Sequence, residues 1–117
     1  MHVSAYGPAL FVSRKDGAEL SQEERAVVFR LVQSACLSLM LTDDEGEPVR
    51  PSDHGYDQEE EKALGVLLHS SYAYAHMPQE IQVEKAEEWE EEGKRVAAEV
   101  EKHAPGVYAF TAYGVEV

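Results

Sequence analysis

The sequence is poor in cysteine and in basic residues, and both shortages limit what the protein can be. It contains one cysteine, Cys36, so no disulfide can form within the chain and stability has to come from packing. Lysine and arginine number 10 against 23 acidic residues, which gives a net charge of −13. Because such a surface does not neutralise phosphates, direct binding to nucleic acid or to an anionic membrane is disfavoured. A basic protein partner suits this charge, although solubility alone would also explain it.

The sequence also lacks the motifs that mark common catalytic and metal sites. There is no glycine-rich phosphate loop, no nucleotide fingerprint, no His-Glu-x-x-His and no cysteine pair. His69 and His76 are seven residues apart, which is about 10 Å along a helix and too far for one zinc ion. The acidic turn at 43–46 fails as a calcium loop, because Leu41 and Ser52 occupy positions that need acids. We therefore expect no metal, no cofactor and no catalytic residue, and we favour a protein that is not an enzyme.

Long uninterrupted apolar runs are missing too, and the most apolar stretch is predicted to be a helix from Ser21 to Leu41. Arginine, glutamine and serine residues interrupt it, so a membrane span is not expected. Ser21 followed by Glu24 forms a capping box, which is typical of a helix start. Apolar residues cover most of the cylinder, which indicates burial on several sides or an oligomer interface. We expect Cys36 to be a buried, unreactive thiol in this helix.

Strands are predicted at both ends of the chain. Residues 2–13 and 107–117 are rich in β-branched and aromatic residues, and in the second stretch the odd-numbered positions are the more uniformly apolar. Pro8 predicts an edge strand or a bulge in the first stretch. Since the sequence between them holds no other convincing strand, we expect the terminal strands to be hydrogen-bonded neighbours in a small sheet. The open edge of such a sheet favours a homodimer through edge pairing.

Two further helices are predicted before the last strand. One extends from about 57 to 77 and carries a broad apolar stripe. The other extends from 78 to about 103, with an acidic side and a sparse apolar stripe in which Trp89 anchors the helix to the body. The expected fold is therefore a single α+β domain over residues 1–117, with a sheet of terminal strands packed against three helices.

The stretch 43–57, between the first two predicted helices, is rich in glycine, proline and acids. From Asp43 to Glu61 there are nine acidic residues and one basic residue, which is −8 of the total charge. A loop of this length is unusual in a compact domain and is commonly functional or mobile. We expect a mobile acidic loop here.

The favoured functional hypothesis is a small interaction protein that engages a basic protein surface, as an inhibitor, an immunity-type protein or a nucleic-acid mimic would. The N-terminus lacks the basic region of a signal peptide, so cytoplasmic residence is expected. Acidic side chains of the loop and of the last helix are the predicted partner-binding residues: Asp43, Asp44, Glu45, Glu87, Glu88, Glu91 and Glu92.

The alternative is a small-ligand-binding protein or an enzyme. Its site would combine the 50–56 loop with the aromatic end of the second predicted helix. The residues are Arg50, His54, Tyr56, His69, Tyr72, Tyr74 and His76. A third hypothesis is a structural subunit that works only as an oligomer, which an apolar patch on the isolated chain would favour.

Overall fold

The chain runs in the order strand, helix, two strands, helix, strand. The computed structural model describes residues 6–43, 45–53, 63–70 and 76–116. Its elements are β1 (Tyr6–Arg14), α1 (Gln22–Ser38), β2 (Ser52–Asp53), β3 (Leu64–Leu67), α2 (Gln79–His103) and β4 (Tyr108–Glu116). The strands form an antiparallel sheet in the order β2-β3-β1-β4, with three main strands and the two-residue β2 at one edge. This is the order of a split β-α-β arrangement, and the predicted α+β class is confirmed.

The two terminal strands are hydrogen-bonded neighbours, as predicted. β1 and β4 pair antiparallel along their full length, from Tyr6 opposite Glu116 to Arg14 opposite Tyr108. The even-numbered residues of β4 face the helices, although the odd-numbered ones looked more apolar in the sequence. Tyr108 at one end of β4 belongs to the core, and is 5% exposed.

The prediction that Pro8 marks an edge or a bulge is wrong. β1 lies inside the sheet, between β3 and β4. Pairing with β3 starts at Ala9 opposite Leu67, and the Pro8 carbonyl accepts a hydrogen bond from the Leu68 N–H at 2.9 Å. The proline therefore lies at the end of the β1–β3 ladder, where its missing N–H interrupts nothing further along the strand.

The helix predicted over 57–77 is also wrong, and the described residues contain two helices, not three. Its apolar stretch forms β3, which pairs with β1 on one side and β2 on the other. All four residues of β3 are buried. An inner strand covered on both faces has a continuous apolar sequence, which periodicity cannot distinguish from a buried helix. Residues 57–62 and 71–75 of this prediction lie outside the described residues.

The start of α1 is tied to the sheet by its cap and by one carboxylate. Ser21 Oγ accepts a hydrogen bond from the Glu24 N–H at 3.1 Å, as the predicted cap requires. The Glu24 carboxylate does not turn back to complete a capping box. It accepts hydrogen bonds from Arg14 Nη1 at 2.6 Å and from the Tyr108 hydroxyl at 3.1 Å. The first turn of α1 is thereby joined to the end of β1 and the start of β4.

Both helices contribute to one core against the sheet. Its fully buried valine and leucine residues come from β1, from β3 and the residue that follows it, from α1 and from α2: Leu10, Val12, Leu64, Val66, Leu68, Val28, Val32, Val96 and Val100. Val49, from the predicted acidic loop, joins them at 6% exposure, and Thr42 forms a β-bridge with Pro48. Val49 thus anchors the described part of the loop to the body, whereas residues 45–48 and Arg50 are exposed, and the predicted mobility stays a prediction. Residues 44 and 54–57 lie outside the described residues.

α2 packs very closely on β4 through small residues on both elements. Gly93 of α2 lies against Ala112, and Gly114 of β4 lies against Ala86. A Cβ added to Gly93 would lie 2.7 Å from the Ala112 Cβ, and one added to Gly114 would lie 2.6 Å from the Ala86 Cα. Trp89 between these contacts is 4% exposed, as predicted for an anchor of the helix. Neither helix described here is long and apolar enough to span a membrane.

Candidate protein-binding groove

The C-terminal end of α1 holds an apolar side chain in an unfavourable backbone conformation. The helix ends in a Schellman motif, in which the Met40 N–H donates to the Leu37 carbonyl and the Leu41 N–H to the Cys36 carbonyl, both at 3.1 Å. This motif needs a left-handed residue, and Met40 supplies it at φ 52°. Glycine is usual at this position, because a side chain there costs roughly 1–2 kcal/mol. The Met40 side chain is nevertheless 84% exposed, so packing within the fold does not offset that cost.

Met40 forms part of a groove between the end of α1 and the middle of α2. The groove has a volume of about 570 Å³. Residues 39–42 form one wall, and three of these four side chains are apolar. Charged side chains of α2 form the other wall: Glu88, Glu91, Glu92 and Arg95. The groove therefore combines an apolar wall with a wall of net negative charge.

Glu88 and Glu91 are the exposed carboxylates of the charged wall. Glu88 lies 3.0 Å from Lys85 Nζ and Glu91 lies 3.5 Å from Lys94 Nζ. Exposed pairs of this kind contribute only about 0.2–1 kcal/mol, so they do not prevent the carboxylates from binding a cation of a partner. Glu87 is exposed on the same helix and forms no ion pair within the part of the chain that the structure describes.

The fourth predicted partner-binding residue of this helix has a different environment. Glu92 lines the groove, but its carboxylate Oε1 lies 3.2 Å from His69 Nε2 and its side chain is only 18% exposed. The His69 side chain is 8% exposed. Glu92 therefore joins α2 to the segment after β3, and it is less accessible to a partner than Glu88 or Glu91.

The acidic residues predicted in the loop do not line the groove where the structure describes them. Asp43 is half-buried, and its Oδ1 accepts hydrogen bonds from the N–H groups of Glu45 and Glu47 at 2.9 and 3.0 Å. This carboxylate holds the turn that closes the loop. Glu45 is exposed, and Asp44 lies outside the described residues.

Two of the residues predicted for the alternative ligand site meet in a second cavity. Arg50 and His69 line a space of about 530 Å³ beside β2 and the end of β3. The remaining lining residues are mostly polar: Asp43, Glu47, Pro48, Ser52, Leu67 and Ser70. His76 is exposed and does not line this cavity. The other four predicted residues lie outside the described residues: His54, Tyr56, Tyr72 and Tyr74.

Cys36 is 1% exposed in the core, as predicted. Burial raises the pKa of its thiol, and the charge of Glu92 raises it further, to about 12. Because the thiolate is the reactive form of cysteine, a thiol with this pKa is a poor nucleophile at neutral pH.

The sequence interpretation did not foresee the left-handed, exposed position of Met40, which it assigned to the general apolar surface of the first helix. One signal was available. Neither glycine nor asparagine occurs in the segment 39–42 where the helix ends, so a left-handed cap has to fall on an ordinary side chain.

The described residues contain no group of three or more His, Cys, Asp or Glu side chains placed to hold a metal ion. Neither a fold class nor a split β-α-β topology identifies a function by itself. Comparisons with protein-family models, with curated proteins and with solved structures found no match.

Proposed function

We propose that this is a non-enzymatic interaction protein whose groove binds a basic segment of another protein. Met40 carries the proposal, because its apolar side chain is exposed where the backbone favours glycine. A residue that breaks a local rule with no gain inside the fold is typical of a functional site. Methionine side chains also adapt readily to the shape of an apolar partner residue.

The charges of the groove define the kind of segment it fits. Glu88 and Glu91 face the groove with exposed carboxylates, and Met40 adds an exposed apolar side chain beside the half-buried Leu39 and the buried Leu41. A segment that carries lysine or arginine next to an apolar residue satisfies both walls at once. The net charge of −13 adds long-range attraction for a basic protein and accelerates its association. Inhibitors, immunity-type proteins and nucleic-acid mimics are the functional classes that use such a surface.

Selection of peptides from a random displayed library on the native protein tests this proposal. We expect the enriched peptides to combine lysine or arginine with an apolar residue, and their binding to weaken with salt. Glu88→Gln/Glu91→Gln should lower their affinity roughly 2- to 30-fold, since each exposed ion pair contributes about 0.2–1 kcal/mol.

The matched control removes two charges from the same helix outside the groove. Glu80→Gln/Glu84→Gln makes the same change in net charge at exposed positions, and it should leave the affinity nearly unchanged. An equal loss in both double variants, or enrichment of peptides without basic residues, would contradict the proposal.

The cavity around Arg50 supports a second candidate function, the binding of a small polar ligand, because Arg50 and the acidic residues Asp43 and Glu47 line the same space. Arg50 and His69, which the sequence placed in one site, line the same cavity, and the Ser52 and Ser70 hydroxyls add hydrogen-bonding groups. A guanidinium binds carboxylate or phosphate in a fixed geometry. A bound small molecule should add mass in native mass spectra, and Arg50→Gln should remove it. Arg30→Gln, at an exposed position of α1, is the control and should keep it; wild-type protein without added mass would contradict this candidate.

A further inference from the structure

We propose that β4 pairs edge to edge with β4 of a second copy of this chain, which continues the sheet across a two-fold axis. β4 has nine residues and lies at the end of the strand order, where β1 occupies only one of its sides. No described strand pairs with its other side, so its outer N–H and C=O groups form a row that can accept another strand. Within the described residues, the opposite edge of the sheet, β2, has two residues and offers no comparable row.

β4 lacks the features by which proteins normally protect an open edge. Lysine, proline and bulges are the usual devices. The strand YAFTAYGVE contains neither lysine nor proline, and its single charged residue is Glu116 at the very end. Its pairing with β1 is continuous from end to end, without a bulge. An unprotected strand of this length is expected to be covered. Because its one charge lies at the end of the strand, the strand is compatible with antiparallel pairing to a copy of itself.

The groups beside the edge are complementary under the same two-fold axis. In an antiparallel pair, residues opposite each other have their side chains on the same face of the sheet. A two-fold axis that passes through Thr111 or Ala112 therefore keeps the helices of both copies on one side of the continued sheet. Glu90 and Lys94 of α2 lie above this centre, in a depression of about 370 Å³ that residues 110–113 of β4 also line. Within one copy, Lys94 Nζ already lies 3.3 Å from Glu90 Oε1. The two-fold axis brings the same pair of the second copy alongside, in reversed order, so that Lys94 of each copy can share Glu90 of the other.

The stability of this dimer should depend on salt in the opposite direction to the affinity of the groove for a basic segment. Each copy carries a net charge of −13, so two copies repel each other at long range, and added salt screens this repulsion. Salt should therefore strengthen the β4 dimer and weaken the binding of a basic segment. The two proposals can then fail independently, because they concern different surfaces and respond to salt in opposite directions.

Sedimentation of the full chain over a range of concentrations, at low and at high salt, tests the dimer. We expect a monomer–dimer equilibrium that moves towards dimer at high salt. Thr111→Lys should shift it to monomer by placing two lysines near the axis, even though it reduces the negative net charge of each copy and so weakens their long-range repulsion. Leu37→Lys makes the same charge change on α1, at a side chain 68% exposed, and should leave the dimer intact. A wild-type monomer throughout, or a Thr111→Lys dimer as strong as wild type, would overturn the proposal.

A crosslinking experiment keeps the test valid if Thr111→Lys disturbs the fold. In a mixture of Thr111→Cys and Tyr113→Cys proteins, a short thiol crosslinker should join two copies. An axis through Thr111 places position 111 opposite position 111 of the second copy, and an axis through Ala112 places position 111 opposite position 113, so the mixture covers both cases. Cys36 is buried and should not compete. Leu37→Cys should stay uncrosslinked, and crosslinking no stronger at β4 than at position 37 would contradict the edge pairing.

Discussion

The close packing of α2 on β4 can be tested with a single methyl group. A Cβ at position 93 would lie 2.7 Å from the Ala112 Cβ, whereas the next atoms, the Ala112 Cα and the Ala9 carbonyl oxygen, are 3.6 and 3.7 Å away. Normal carbon contacts are about 3.5–4.0 Å. Only the Ala112 methyl group therefore collides, and Ala112→Gly should make room for Gly93→Ala.

The expected energies follow from these contacts. Overpacking costs roughly 1–3 kcal/mol, and alanine in place of a helical glycine contributes about 1 kcal/mol of stability. Gly93→Ala alone should therefore range from neutral to about 2 kcal/mol destabilising. Ala112→Gly alone should cost about 1 kcal/mol, for the lost methyl group and the freer backbone. The double variant has no collision and should be close to wild type in stability.

Urea unfolding of the four proteins measures the coupling between the two positions. We expect the double variant to be about 1–3 kcal/mol more stable than the sum of the single changes predicts. Ala98→Gly, at an exposed position of α2, gives the alanine–glycine difference in this helix without a contact. If the two changes add within about 0.5 kcal/mol, the residues are not in close contact and the packing argument is refuted.

Three further predictions concern buried side chains. Trp89→Ala should lower the free energy of unfolding by roughly 3–5 kcal/mol, and water-exposed tryptophan emission from the wild type would argue against this. Tyr108→Phe should cost about 1–2 kcal/mol in urea unfolding, because the hydrogen bond to Glu24 is lost; an unchanged midpoint would contradict it. Burial raises the Cys36 pKa from 9.0 to about 12, so its protonated thiol stabilises the fold below pH 9 and that contribution is lost as the pH approaches 12. Cys36→Ala should therefore lose less stability than wild type between pH 9 and pH 12. In the native protein, Cys36 should also react with thiol reagents far more slowly than in denaturant.

The parts of the fold that depend on local sequence were predictable. The cap at Ser21 and the buried stripe of α2 with Trp89 follow from residue type and spacing. The pairing of the two terminal strands was predicted correctly, but from the premise that no other strand lies between them in the sequence, and β3 contradicts that premise. β3 was not predictable, because a strand buried on both faces has no alternation to distinguish it from a helix. Pro8 led to a wrong prediction for a related reason. Whether a proline interrupts a strand pair depends on which residues of β1 pair with β3, and the local sequence does not contain that information.

The acidic side chains of the candidate groove were also predictable, but which of them are accessible and which apolar residues lie opposite them were not. Glu88 and Glu91 follow from the acidic side of the helix. Glu92 lies at the edge of the buried stripe, and its pairing with His69 could not be foreseen while His69 was assigned to a helix. The one sequence signal for Met40 was the absence of glycine and asparagine from residues 39–42, and it could be used only once the end of α1 was known.

Met40→Gly, measured for stability and for binding together, tests the central claim most directly. Removal of the left-handed side chain should raise the free energy of unfolding by roughly 0.5–1 kcal/mol. The affinity for the peptides selected on the native protein should fall about tenfold, which corresponds to about 1.4 kcal/mol of lost apolar contact. Leu37→Ala, which truncates another exposed apolar side chain of α1 outside the groove, should leave the affinity unchanged. A Met40→Gly protein that binds the peptides as tightly as wild type would show that Met40 is not part of a binding surface, and the proposed function would be wrong.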